Sequence, residues 1–67
     1  DGVCATLTSR ERDVLAAIAR GEMRKQIAFD RAIALPTVDM HIASIKRKLK
    51  AATLPEAVAR AYRYAFL

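Results

Sequence analysis

Lys46, Arg47, Lys48 and Lys50 crowd four cations into five residues, and Arg24 and Lys25 add two more upstream. Side chains of this kind neutralise phosphates, and a basic stripe is the electrostatic footprint of a nucleic-acid partner. The plainer reading of such a cluster is a solvated helix end, with cations favoured near the negative carboxyl pole. Groups suited to covalent or acid–base chemistry are scarce. His41 is the only histidine and Cys4 the only cysteine, so no triad, metal set or nucleotide motif can be assembled. His41 reads as a packed or hydrogen-bonding helix residue, and Cys4 as inert. No enzymatic activity, cofactor or metal is expected.

Size and composition agree. The chain has 67 residues, too few for a second core or a buried catalytic cleft. Hydrophobic residues make up 54% of it, with 2 Gly, 2 Pro and no Trp, which is helical composition. The net charge of +5 is uneven: residues 1–22 balance at −1, residues 23–50 at +5 and residues 51–67 at +1. No apolar run approaches the ~18 residues that span a bilayer, and no signal-peptide layout opens the chain. A lone cysteine suits a reducing compartment, so a soluble, cytoplasmic protein is expected. The chain starts at Asp1 without an initiator Met. This suggests a piece of a longer protein, with residues 1–6 as a linker remnant and residues 7–67 as one domain.

Four helices are needed to position the cations. Thr8 and Glu11 form a capping box that starts the first, over residues 9–20, with Val14, Leu15 and Ile18 on its apolar face and Gly21 closing it. The second covers residues 24–31, with Ile27, Ala28 and Phe29 as its buried positions and no side-chain cap at Met23. Pro36 sits in the first turn of the third, residues 36–49. At about 100° per residue, Val38, Ile42, Ile45 and Leu49 fall into one core stripe. Pro36, Met40, Ala43 and Arg47 lie opposite, flanked by Asp39, Lys46 and Lys50 on one side and by Ser44 and Lys48 on the other. The fourth, residues 54–65, opens with a second capping box, Thr53 with Glu56, and carries Ala57, Val58, Ala61, Tyr62 and Ala65 as a stripe of mostly small residues. Such a stripe suits close approach of another helix, from the same chain or from a second copy.

A short helix, a tight connection and a longer helix with a basic, exposed face have the layout of a helix-turn-helix. Three-helix cores with basic faces also serve as protein-interaction modules, and the layout alone leaves both open. The residues go further. Leu7-Thr8-x-Arg10-Glu11-x-x-Val14-Leu15, Ala19-x-Gly21, Lys25-x-Ile27-Ala28, Thr37-Val38-x-x-His41, Ile45-x-x-Lys48-Leu49 and Glu56-Ala57-Val58 together resemble the LuxR/GerE-type helix-turn-helix domain, without a gap from Leu7 to about Leu67. The resemblance implies an all-α, four-helix domain of a bacterial transcription regulator. It implies double-stranded DNA as partner, a homodimer paired through the fourth helix, and an upstream receiver or sensor domain.

Carried over by position, the base readers are Pro36, Asp39, Met40 and Ala43. A Lys commonly stands where Asp39 does, so the reading face has lost its usual donors. An Asp in the groove accepts from cytosine N4, and Met or Ala touches a thymine methyl. A carboxylate near phosphates is also repelled, so weaker binding than in a typical member is expected. Arg24 replaces a common Asn, Ala34 a common capping Ser, and Lys50 a common Gly. Phosphate candidates are Lys25, Thr37, Lys46, Arg47 and Lys48, with Thr37 equally explained as an early-helix hydrogen-bonding residue. Dimerisation candidates are Val58, Ala61, Tyr62 and Ala65. Met40 fits either a thymine methyl or a protein contact. The competing reading of the whole is a degenerate helix-turn-helix kept for dimerisation or protein docking.

Overall fold

A computed structural model of the chain describes residues 7–63, in which four helices and no strand occur. They are α1 (Ser9–Ala19), α2 (Arg24–Arg31), α3 (Leu35–Lys48) and α4 (Leu54–Arg63). The domain is all-α. The linker remnant expected at residues 1–6, and Ala65, expected on the fourth helix, lie outside the described residues.

Each boundary has a local cause. Thr8 Oγ1 accepts from the Glu11 N–H at 3.1 Å, and Glu11 Oε1 accepts from the Thr8 N–H at 2.9 Å, a reciprocal capping box. Gly21, at φ +89°, ends α1 in a conformation that costs glycine nothing. Neither Met23 nor Ala34 gives α2 or α3 a side-chain cap, and Pro36 pre-sets the first turn of α3. At α4 the Thr53 hydroxyl accepts from the Glu56 N–H at 3.2 Å. The Glu56 carboxylate reaches past Thr53 to the Ala52 N–H, 2.8 Å away, so this box is closed one residue earlier than expected.

The core lies between α1, α2 and α3, with α4 closing one end. Leu15, Ile27, Ile45, Leu49, Val14 and Val38 are fully buried, each contributing about 1.5–3 kcal/mol of burial free energy. Ala57 and Ala61 bring α4 against the same core. Phe29, expected among the buried positions of the second helix, is instead 81% exposed. It stands two residues beyond Ile27, about 200° around the helix, so an inward Ile27 sends it outward.

Two non-glycine residues take the left-handed conformation, Ala32 at φ 54° and Lys50 at φ 55°. Ala32 makes the turn between α2 and α3, where the Ile33 N–H reaches the Ala28 carbonyl at 3.0 Å. Lys50 ends α3, and Arg60 of α4 covers that end by donating to the Leu49 carbonyl at 2.9 Å and to the Lys50 carbonyl. Relieving left-handed strain is worth about 1 kcal/mol per position. Lys50→Gly and Ala32→Gly are therefore each expected to raise stability by about that amount, read as a higher denaturation midpoint at unchanged slope.

Candidate nucleic-acid interface

The placement of α3 rests on an ionised side chain that is almost entirely buried. Glu11 is 5% exposed, and each partner of its carboxylate fixes a different element. Oε1 accepts from the Thr8 N–H and from Lys48 Nζ at 2.8 Å; Oε2 accepts from the Ser44 hydroxyl at 2.7 Å. The cap of α1 is thereby bolted to the last two turns of α3. Burial raises the Glu11 pKa, but the hydrogen bonds from Lys48, Ser44 and the Thr8 backbone outweigh it and hold it at about 2.

A second tie joins α2 to α1. Arg31 Nε and Nη2 donate to the two oxygens of Asp13 at 2.5 and 3.0 Å, and Nη1 lies 3.8 Å from Glu22. The Arg31 hydrogen bond holds the Asp13 carboxyl below its ordinary range, and Asp13 raises the guanidinium in return. A third, exposed tie crosses from α2 to α3, where Arg24 Nη1 donates to Asp39 Oδ1.

With its inner stripe in the core, α3 turns Pro36, Asp39, Met40, Ala43 and Arg47 to solvent, all five exposed. Among the positions carried over as base readers, all four therefore share one open face. Lys25 is exposed on the first turn of α2, and Thr37 and Lys46 are half-buried on the flanks of α3. Lys25, Lys46, Arg47 and Lys50 have no carboxylate partner among the described residues. Arg47 Nη2 instead donates to Ser44 Oγ at 3.3 Å. Lys48 differs from the other phosphate candidates, because its ammonium is engaged with Glu11. Its sequence position signals a surface cation; nothing in the spacing announces a buried carboxylate 37 residues earlier.

On α4 the expected dimerisation stripe divides. Ala61 is fully buried in the chain's own core, a correction to its place among residues available to a second copy. Small residues let α4 pack closely against its own fold first. Val58 is half-buried, and Tyr62 is exposed.

Three packed helices with a tight turn, a buried inner face on the last of them and an open, cation-flanked outer face define a helix-turn-helix domain. The chain belongs to the luxR family of bacterial regulatory proteins, whose family model matches residues 5–61. It is 45% identical over 53 residues to the transcriptional regulatory protein FixJ of Rhizobium meliloti, covering 79% of this chain and 26% of that protein. It is 37% identical over 54 residues to the tetrathionate response regulatory protein TtrR of Salmonella typhimurium, covering 81% and 26%. A third relative, a Bacillus subtilis transcriptional regulatory protein, YhcZ, is 40% identical over 58 residues, covering 87% and 27%. The chain thus spans about a quarter of the length of these relatives. No solved structure shows a significant match to it. Among the described residues no helix is long and apolar enough to cross a membrane, and no cluster of His, Cys, Asp or Glu could hold a metal ion.

The Glu11 node makes the domain acid-sensitive in a defined window. Because the folded-state pKa of about 2 lies below the ordinary 4.5, its stabilisation is complete above pH 4.5 and is lost as pH falls toward 2. The amount at stake is on the order of 3 kcal/mol. Glu11→Gln is expected to destabilise the domain at neutral pH and to flatten its stability profile between those limits, measured by urea unfolding at a series of pH values.

Proposed function

We propose that the chain is the DNA-binding output domain of a bacterial transcription regulator, with α3 in the major groove and α4 pairing two copies. The observation that carries this reading is the division of α3 into a buried stripe and an open outer face bordered by Lys46, Arg47 and Lys50, which have no carboxylate partner among the described residues. Its 14 residues make a rod about 20 Å long. A major groove about 12 Å wide admits a helix of this kind. Pro36, Asp39, Met40 and Ala43 then face base edges. Lys25, Lys46 and Arg47 neutralise phosphates, with Thr37 beside them and Lys50 as an added cation. Lys48 acts through Glu11, holding the helix at its angle. On α4, Val58 and Tyr62 supply described surface for a second copy. In a longer protein, the names of the relatives suit an upstream receiver or sensor domain that controls access to this face.

A second reading, a helix-turn-helix kept for docking proteins, draws on the exposure of Met23, Phe29 and Met40. Met40 lies on the face the first reading assigns to bases, so the two make opposed predictions there.

Binding to duplex DNA is expected to weaken linearly on a plot of log affinity against log salt. Arg47→Ala should lower affinity for all sequences alike and reduce the steepness of that line by about one. Absence of binding at low salt would decide for the docking reading. For α4, Tyr62→Asp is expected to shift any dimer toward monomer in sedimentation equilibrium without loss of helicity, since Tyr62 is not part of the core.

A further inference from the structure

Arg24 and Asp39 belong to different helices and lie 15 positions apart, yet their side chains meet at the edge of the outer face of α3. Both are about half exposed, at 52% and 47%, so the pair sits in water and not in the core. A surface pair of this kind adds little to folding. Its placement is what distinguishes it. Only one carboxylate oxygen, Oδ1, is engaged; Oδ2 carries no hydrogen bond among the described residues. On the guanidinium, Nη1 is the engaged donor, while Nε and Nη2 point to no acceptor among the described residues.

An acidic side chain on a surface that approaches phosphates is a liability unless its charge is matched. Arg24 supplies the match locally, so the pair presents a neutral unit with one acceptor to spare. Two base edges offer the major groove an amino donor, cytosine N4 and adenine N6; a carboxylate suits cytosine better, because at adenine the neighbouring N7 lone pair repels its second oxygen. Guanine N7 and O6, adenine N7 and thymine O4 are themselves acceptors and repel it. The pair thus keeps hydrogen-bonding capacity on both sides, an acceptor on Asp39 and donors on Arg24, among the described residues.

Resting on the reading that α3 enters the major groove, we propose that Asp39 selects a cytosine by accepting from its N4 amino group through Oδ2. Arg24 is the positioning residue that orients and neutralises the carboxylate. The pair is a specificity device: Arg24 sets the direction of the acceptor, and Asp39 does the reading.

The test is selection of bound sequences by the 67-residue chain from a random duplex pool at low salt, followed by affinity measurements on duplexes carrying each base pair at each selected position. The parent chain is expected to prefer C·G at one position by about 10-fold. Asp39→Ala should erase that preference and leave the other positions intact, and Asp39→Asn should move it toward adenine, whose N6 and N7 an amide pairs. Arg24→Ala should weaken binding to the cytosine duplex more than to its three alternatives, and Arg24→Lys should restore part of the difference. Equal loss on all four duplexes with Arg24→Ala would make Arg24 a phosphate contact alone and overturn the proposal, as would a cytosine preference that survives Asp39→Ala. A parent chain that binds duplexes with no preference at any position overturns the pair's role but leaves the groove reading standing. A parent chain that binds no duplex removes both.

Discussion

Glu11 has to be ionised and buried at once, and the groups that make this tolerable come from both ends of the helix-turn-helix scaffold: the Thr8 backbone at the start of α1, and Ser44 and Lys48 near the end of α3. A buried carboxylate without such partners would take up a proton or open the fold. The requirement therefore acts as a geometric constraint on α3. The helix can rotate or slide only by breaking bonds that the carboxylate needs, and its inner stripe of Val38, Ile42 and Ile45 is seated accordingly. Arg31 does the corresponding job for α2 through Asp13.

What this scaffold leaves outside is as consistent as what it buries. Cations near the core are consumed by acids, Lys48 by Glu11 and Arg31 by Asp13. Those at the rim, Lys25, Lys46, Arg47 and Lys50, have no carboxylate partner among the described residues. The net charge of +5 therefore understates how the charge is organised. The positive excess of residues 23–50 is partly structural, and the part left over lies along the edges of one open helix face. The acidic residue on that face is paired with a neighbouring arginine, so the face is less hostile to a polyanion than its composition implies.

Much of the fold is legible in local sequence, because it is made of local interactions. The cap at Thr8, the stop at Gly21, Pro36 in a first turn and the core stripe of α3 each depend on residues within a turn or two of one another. The features that were not legible join distant positions. Glu11 reads as a capping residue, and its second role needs Ser44 and Lys48, 33 and 37 residues away. Asp39 reads as an unfavourable charge on the outer face of α3 until Arg24 is placed beside it. Phe29 looks buried by its chemistry, and only the orientation of Ile27 in an eight-residue helix turns it out. Ala32 gives no hint of its left-handed backbone, since the bond that enforces it, from the Ile33 N–H to the Ala28 carbonyl, follows from how α2 must turn into α3.

We propose that burial of one face of α3 leaves the other to DNA. The most direct test is mapping amide chemical-shift changes in the isotope-labelled chain as duplex DNA is added at low salt. The largest changes are expected at Asp39, Met40, Ala43 and Arg47 on α3 and at Lys25 on α2, with small changes at Val14, Leu15 and Ile27 in the core. Changes centred on Phe29 or on α4, with the outer face of α3 unaffected, would contradict the account.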